Sequence, residues 1–305
     1  MIGKICGTGS SIPVKIMVND DLSNMVDTND AWIRERTGVE KRHIAESEST
    51  VSMAVEAGRQ ALAQTGVRPE ELDMIVVSTM SPDAVLPCTA CEVQKAIGAE
   101  GAVCFDLQAA CTGFIFAYNT AQAYIQSNMC RTVLLIGSER LSRLVDWTDR
   151  GTCILFGDGA GAAVLKAAEG RAYLPVSHSD GKKGEALTCD RYIHMDGRAV
   201  FQFAVTRVPE VIREVLTKNE LLMDDIDYFV LHQANRRIVE AVAKRLGQPI
   251  EKFPMNLQEY GNTSSASIPI LLDEMNRSGK LKKGQKLVVA GFGAGLSWGA
   301  SIVEW

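Results

Sequence analysis

Apolar positions along the chain recur in two rhythms: short runs bounded by turn residues, which predict strands, and longer stretches with apolar residues three and four apart, which predict helices. Residues 4–9 predict a first strand, followed by a loop through Pro13. Residues 20–36 alternate acidic and apolar positions around Trp32 and predict one exposed helix. Thr50 starts a long amphipathic helix to about Thr65, where Gly66 stops it. A strand over residues 72–79 and a helix opened by Pro87 come next. Residues 132–137 read as a buried strand, and residues 157–165 as a glycine-rich turn into a strand of small residues. The polar, Gly/Lys-rich stretch 177–198 predicts a mobile loop.

One junction stands out. Val103-Cys104-Phe105-Asp106-Leu107 reads as a strand, Gln108-Ala109-Ala110 as a tight passage, and Cys111, Phe114, Ile115, Tyr118 and Ile125 fall at helical spacing. Cys111 therefore sits in the first turn of a helix, where free N–H groups and the positive dipole end favour a thiolate. Residues 107–130 carry no charge, so this helix is expected inside the protein; Gln108, Asn119, Gln122, Gln126 and Asn128 argue against a membrane span. A cysteine aimed out of a buried helix start is a nucleophile candidate, but most cysteines are small core hydrophobes, so Cys111 needs partners.

The second half of the chain repeats the first. The strand at residue 72 matches the one at 226, an offset of 154 (226 − 72). The same offset carries Cys111 onto Ser265 and the strand at 132 onto that at 286. The glycine-rich strand at 157 matches 295 at an offset of 138, implying 16 extra residues near Trp147 in the first half. Two βα halves, 1–168 and 169–305, packed about a pseudo-twofold axis, account for this. In layered α/β folds the carboxyl ends of strands and amino ends of helices share one side of the sheet. The repeat would therefore bring Cys111 together with His232, at a strand end, and Asn262, just before the helix equivalent to that of Cys111.

Composition narrows the class without naming a chemistry. The 305 residues are 46% hydrophobic and 23% charged, ordinary values for a globular protein able to bury a large core. A net charge of −5 argues against a general nucleic-acid binder and leaves room for a local basic patch. No apolar run reaches membrane-span length, no secretory segment precedes the first strand, and eight scattered cysteines suggest reduced thiols; a cytoplasmic protein is expected.

Three segments then carry a specific resemblance: Gln108-Ala109-Ala110-Cys111-Thr112-Gly113-Phe114, His232-Gln233-Ala234-Asn235-Arg236-Arg237-Ile238 and Gly261-Asn262-Thr263-Ser264-Ser265-Ala266-Ser267-Ile268-Pro269. With Asp149-Arg150-Gly151, Phe156-Gly157-Asp158-Gly159-Ala160-Gly161 and the terminal Gly291-Phe292-Gly293-Ala294-Gly295-Leu296-Ser297-Trp298-Gly299, the chain resembles the β-ketoacyl-[acyl-carrier-protein] synthase III family from end to end. The resemblance implies the α/β thiolase fold, an internally duplicated five-layer αβαβα sandwich, in a homodimer without a metal or redox cofactor. It implies an acyltransferase that starts fatty-acid synthesis: an acyl-CoA primer acylates Cys111, malonyl-[acyl-carrier protein] loses CO2, and the resulting carbanion attacks the acyl thioester.

The resemblance also distributes roles. His232 and Asn262 would stabilise the enolate as neutral donors, and the N–H groups of Cys111 and Ala294 would form an oxyanion hole for the tetrahedral intermediate. Thr28, Trp32, Arg36, Arg150 and Asn235 would bind CoA, with the adenine between Trp32 and Arg150 and Arg36 meeting phosphate. Gln233, Ala234, Asn235, Arg236, Arg237 and Lys244 would meet the acidic carrier protein. Phe156, Phe201 and Phe292 would line the acyl tunnel, and Leu86 would close it from the partner subunit. Three positions depart from the family pattern: Gln202 where lysine is frequent, Leu86 for a bulkier Phe, and Ala294 for glycine.

Rival readings fit less well. A Cys–His–Asn set also suits papain-like hydrolysis, but the sequence context of such a cysteine is absent. Cys88 and Cys91 form one CxxC pair without a second pair or a nearby His, which does not make a zinc site. Neither Gly7-x-Gly9 nor the run at Gly157 satisfies a dinucleotide fingerprint. A specialised ketide synthase on the same fold, and a non-catalytic scaffold, remain as alternatives.

Overall fold

Strand Met74–Ser78 lies between two parallel neighbours, Val103–Leu107 and Thr132–Glu139, in the computed structural model, which describes residues 1–305. Gly159–Ala168 runs antiparallel beside Thr132–Glu139, and Ile2–Ser11 closes that side of a five-stranded sheet. A second sheet orders Tyr228–Leu231, Lys286–Gly293, Ser297–Glu304 and Val176–Ser179, with only its first pair parallel. Met74–Ser78 and Thr132–Glu139 are buried at every position, as strands covered on both faces must be.

The register proves the repeat. Met74 pairs with Val133 and Tyr228 with Leu287, an offset of 154 on both strands. Thr132 pairs with Lys166 and Lys286 with Glu304, offsets of 154 and 138. Even the turn chemistry recurs: Asp73 Oδ2 accepts from the Thr132 N–H at 2.9 Å, and Asp227 Oδ2 from the Lys286 N–H at 2.8 Å. The extra residues of the first half hold the turn Leu141–Arg143, Trp147 and the short helix Arg150–Cys153.

Five layers follow from which faces are apolar. Helices Gly113–Gln126 and Ser267–Arg277 fill the middle, where Phe114, Ile115, Ile268 and Leu272 pack with residues of both sheets. Thr50–Thr65 and Thr89–Ile97 cover the outer face of the first sheet, and Gly197–Lys218 and Arg236–Leu246 that of the second. Thr50–Thr65 matches its sequence signals closely: Ser49 accepts from the Ser52 N–H, and Gly66 ends the helix in the left-handed conformation at φ 67°.

Three stretches differ from expectation. Residues 20–36 form two helices, Asn19–Ser23 and Asp30–Thr37, because the Asn29 side chain accepts from the Trp32 N–H and starts a new helix there. The stretch 177–198 is folded. Val176–Ser179 joins the second sheet, and Leu187–Cys189 pairs with Ile193–Met195 in a hairpin that buries Ile193. The repeat would place a fifth strand of the second sheet at 257–261, yet the helical turn Leu257–Tyr260 stands there.

Candidate active site

Both halves make the same sharp elbow. Ala110 holds φ 45° and Ser264 holds φ 48°, left-handed values costly for residues with a Cβ, at positions related by the repeat. Each elbow is a short 3-10 turn, Ala110–Thr112 or Ser264–Ala266, that runs into a central helix. In the first half the elbow presents Cys111; in the second it follows Asn262.

The neighbouring strands are glycine-rich where they meet these elbows, and the reason is steric. A Cβ at Gly293 would stand 2.9 Å from the Cys111 nitrogen, and one at Gly137 would stand 2.4 Å from the Ser265 carbonyl oxygen. The Lys286–Gly293 strand thereby reaches the Cys111 backbone and carries Ala294 beside it. The N–H groups of Cys111 and Ala294 donate to no acceptor in the protein. Unpaired N–H groups at a cavity wall are rare and suit an anionic oxygen.

His232 follows the Tyr228–Leu231 strand, and its N–H donates to the Ala290 carbonyl at 2.9 Å. The ring is buried, its Nδ1 lies 2.7 Å from the Ser267 Oγ, and its plane meets the Phe292 ring edge-on at 5.6 Å between centroids. Asn262 is fixed through its backbone: its N–H donates to the Leu155 carbonyl at 2.8 Å and its carbonyl accepts from the Gly157 N–H at 3.1 Å. Its Oδ1 accepts from the Ser264 N–H at 2.8 Å, which leaves the amide N–H2 free to donate.

Cys111, His232 and Asn262 line one cavity of about 460 Å³, joined by Phe156, Phe201, Phe292 and Ala294. Arg36, Arg198 and Arg237, all exposed, also line it. Burial pushes the Cys111 thiol up to about 12 and holds His232 down at about 3, so both groups rest neutral. The short elbow buries Cys111, and this desolvation opposes the thiolate that the helix start favours.

The other predicted binding residues lie apart from the nucleophile or prove partly occupied. Arg150 and Arg36 stand over the Trp32 ring at 4.9 and 5.3 Å, and the buried Thr28 hydroxyl nearby in sequence has no partner. Asn235 caps its helix by accepting from the Arg237 N–H at 2.8 Å and donates to the Arg36 carbonyl at 3.0 Å. Arg236 is half-buried and donates to the Arg34 carbonyl, whereas Arg237 and Lys244 are exposed. Gln233 is 1% exposed and donates to Leu231 and Pro254 while accepting from Asn256, so it braces the loop and cannot face a docking protein. Leu86 is 82% exposed and absent from the cavity of its own chain. Cys88 and Cys91 sit 3.4 Å apart with free thiols. Sequence reasoning missed Ser267, Glu139, Ser264 and Arg198; the first could have been found by shifting Gly113 through the repeat.

Family comparison agrees with this geometry. Residues 105–181 match the model described as 3-oxoacyl-[acyl-carrier-protein (ACP)] synthase III, and residues 216–305 match its C-terminal counterpart. The beta-ketoacyl-[acyl-carrier-protein] synthase III of Clostridium acetobutylicum is 46% identical, covering 99% of this chain and 98% of the relative. The chain belongs to this family. It is a condensing enzyme, an acyltransferase of the thiolase fold. Among solved structures, the 3-oxoacyl-[acyl-carrier-protein] synthase III of Aquifex aeolicus superposes with a TM-score of 0.97 at 44% identity, over 99% of this chain and all of that one. The priming β-ketosynthase of the R1128 polyketide pathway gives 0.95 at 36% identity, over 99% of this chain and 96% of its own.

Proposed function

We propose that this condensing enzyme of fatty-acid initiation takes a short acyl group from acyl-CoA onto Cys111 and extends it with malonyl-[acyl-carrier protein]. The observation that carries the reading is the convergence of Cys111, His232 and Asn262 on one cavity beside two unpaired N–H groups. The acyl carbonyl oxygen sits in the hole formed by the Cys111 and Ala294 N–H groups, which stabilise the oxyanion when sulfur attacks. The departing CoA leaves an acyl-enzyme. Malonyl-carrier protein then enters, and loss of CO2 builds charge on its thioester oxygen. His232, neutral because buried, and the Asn262 amide donate to that oxygen; a carboxylate in either place would repel it. The carbanion attacks the acyl-enzyme and yields 3-oxoacyl-carrier protein.

Substrate handling completes the reading. Trp32 and Arg150 offer two planes that part to take the CoA adenine between them, with Thr28 bonding it, Arg36 meeting phosphate and Asn235 the pantetheine. Arg237 and Lys244, aided by Arg236, offer the acidic carrier protein a basic surface, with Ala234 beside the cavity. Phe156, Phe201 and Phe292 wall the acyl pocket. The unpaired edge strand Val103–Leu107 and the exposed Val85 and Leu86 suit a homodimer in which Leu86 enters the partner's site. The halves 1–168 and 169–305, a cytoplasmic location and the lack of any resident cofactor complete the proposal.

The test is direct. With labelled acyl-CoA, Cys111→Ser should take up no label, while His232→Ala should be acylated and then fail to release CO2 from malonyl-carrier protein. Full condensation by both variants would end this reading. The likeness to a polyketide priming synthase supports a second one, in which the same chemistry starts a specialised ketide. Mass spectrometry of the acyl group on Cys111 after exposure to mixed acyl-CoAs separates the two.

A further inference from the structure

Cys88 and Cys91, for which the condensation chemistry has no use, are built as a unit. Cys88 is the N-cap of helix Thr89–Ile97 in extended backbone, and Cys91 is the third residue of that helix. In a capping box these are the two positions whose side chains reach back to each other's backbone. Here both carry thiols, Cys88 makes no side-chain cap bond, and its Sγ meets the Cys91 Sγ at 3.4 Å instead. Both thiols are free and half-buried. The Cys88 thiol, burial and the nearby Asp106 and Glu92 hold Cys91 above its ordinary pKa, so the pair rests protonated at that sulfur. A third thiol, Cys104, is turned to the Ala102 carbonyl at 3.4 Å.

The two sulfurs are not equally free to move. A disulfide bond of about 2 Å asks the pair to close by roughly 1.4 Å. On the helix side, the Asp106 carboxylate accepts from the Thr89 and Ala90 N–H groups at 2.8 Å each. The Cys91 N–H donates to the Cys88 carbonyl at 3.1 Å, and the buried Ala90 and Val93 hold the helix to the core of the first sheet. On the other side, residues 84–87 form no backbone–backbone hydrogen bond, and Val85 and Leu86 are 89% and 82% exposed. Movement of Cys88 toward Cys91 therefore passes into Leu86, two residues ahead.

We infer that Cys88 and Cys91 are a redox site, at which a small disulfide of the glutathione class converts the two thiols into an intramolecular disulfide that resets Leu86. One protein thiol loses its proton and attacks the small disulfide, which releases one small thiol and leaves a mixed disulfide. The second protein sulfur then displaces the remaining small thiol and closes the Cys88–Cys91 bond. Two protein thiols are oxidised, one disulfide is reduced to two thiols, and both protons end on the released thiols. Excess thiol reverses the exchange. The effect on the reaction rests on the homodimer reading, in which Leu86 closes the partner's acyl pocket: oxidation changes which primer fits and leaves Cys111 untouched.

The pair can be read directly, because trypsin leaves Cys88 and Cys91 on one peptide, residues 60–95, that holds no other cysteine. The full chain is equilibrated with mixtures of oxidised and reduced glutathione, denatured, alkylated with iodoacetamide and digested. In the oxidised mixtures this peptide should escape alkylation and weigh two hydrogens less than the dithiol, and dithiothreitol should restore it. Two alkylated thiols in every mixture, or a cross-link to the peptide carrying Cys104, overturns the pair.

Kinetics test the coupling to Leu86. The ratio of kcat/KM for acetyl-CoA over octanoyl-CoA should shift about 10-fold on oxidation of the wild-type chain. In Cys88→Ser, where serine keeps the helix cap, the same treatment should leave the ratio still. Oxidation at Cys111 would slow both primers together, so the ratio reports the pair alone. A ratio unmoved while the pair is closed overturns the coupling where Leu86→Phe, in the reduced enzyme, does shift it. If Leu86→Phe also leaves the ratio unchanged, the homodimer reading of Leu86 falls and the coupling with it, and the redox pair stands on the peptide mass.

Discussion

The Ser267 hydroxyl lies 2.7 Å from Nδ1 of His232, although 35 residues separate the two. This one contact sets which ring nitrogen faces the cavity, and it orients a ring that otherwise touches mainly apolar groups such as Phe292. Ser267→Ala should leave acylation of Cys111 near wild type and slow malonyl decarboxylation roughly 10- to 100-fold. It should also cost about 1–3 kcal/mol of stability, because Nδ1 and the Gln233 N–H lose their partner in the core. Separate assays of the two half-reactions, with thermal melting, check this.

Gly293→Ala should damage the oxyanion site before it damages the fold. The added Cβ would press on the Cys111 nitrogen at 2.9 Å and the Thr112 nitrogen at 3.1 Å, forcing the strand end and Ala294 away. Turnover should fall by 100-fold or more, while KM for acyl-CoA, set at remote contacts, changes little. Steady-state kinetics on the folded variant decide the matter.

Burial of His232 predicts a pH dependence with a fixed sign. Its folded pKa of about 3 lies below the unfolded value of 6.5, so the unfolded chain binds the extra proton. The neutral ring's contribution is fully present above about pH 6.5 and is lost as pH falls toward 3, to a limit of roughly 5 kcal/mol. Decarboxylation should stay independent of His232 ionisation from pH 5 to 9. Urea unfolding at pH 4, 5, 6 and 7 should show stability rising with pH; in His232→Gln this part of the slope should vanish.

Trp32→Ala and Arg150→Ala should each raise KM for acyl-CoA about 10-fold with little effect on turnover, since neither side chain lines the cavity that holds Cys111. An unchanged KM in both would remove the adenine reading.

Charge reversal at Arg237 and Lys244 should weaken malonyl-carrier-protein use by 10-fold or more, increasingly so at low salt, and leave CoA acylation intact. Kinetics at 20 and 300 mM NaCl separate docking from a collapse of the cavity wall, where Arg237 stands 5.4 Å over the Phe201 ring.

Much of this was legible in the sequence because the chain states its architecture twice. The offset of 154 is an integer count, and the strand register preserves it to the residue, so the meeting of Cys111, His232 and Asn262 follows from counting alone. The misses have physical causes. The break near Asn29 turns on a side-chain cap that competes with apolar spacing, and the hairpin at Leu187–Cys189 relies on long-range packing of Ile193. Helix position is readable from spacing, whereas the depth at which Cys111 sits below the surface is not. Its motif places Gln233 on a docking surface, and only packing shows that it points inward. Glu139, Ser264 and Ser267 carry no local signature, since a buried Glu among serines looks in one dimension like any strand end.

The matched elbows have a consequence for the chain as a whole. Gly137 of the first half leaves room for the Ser265 backbone of the second, and Gly293 of the second leaves room for the Cys111 backbone of the first. Each half is thus the mould for the other's turn. A side chain at either glycine therefore strikes the turn of the opposite half, so the two halves are expected to tolerate change at these positions only together.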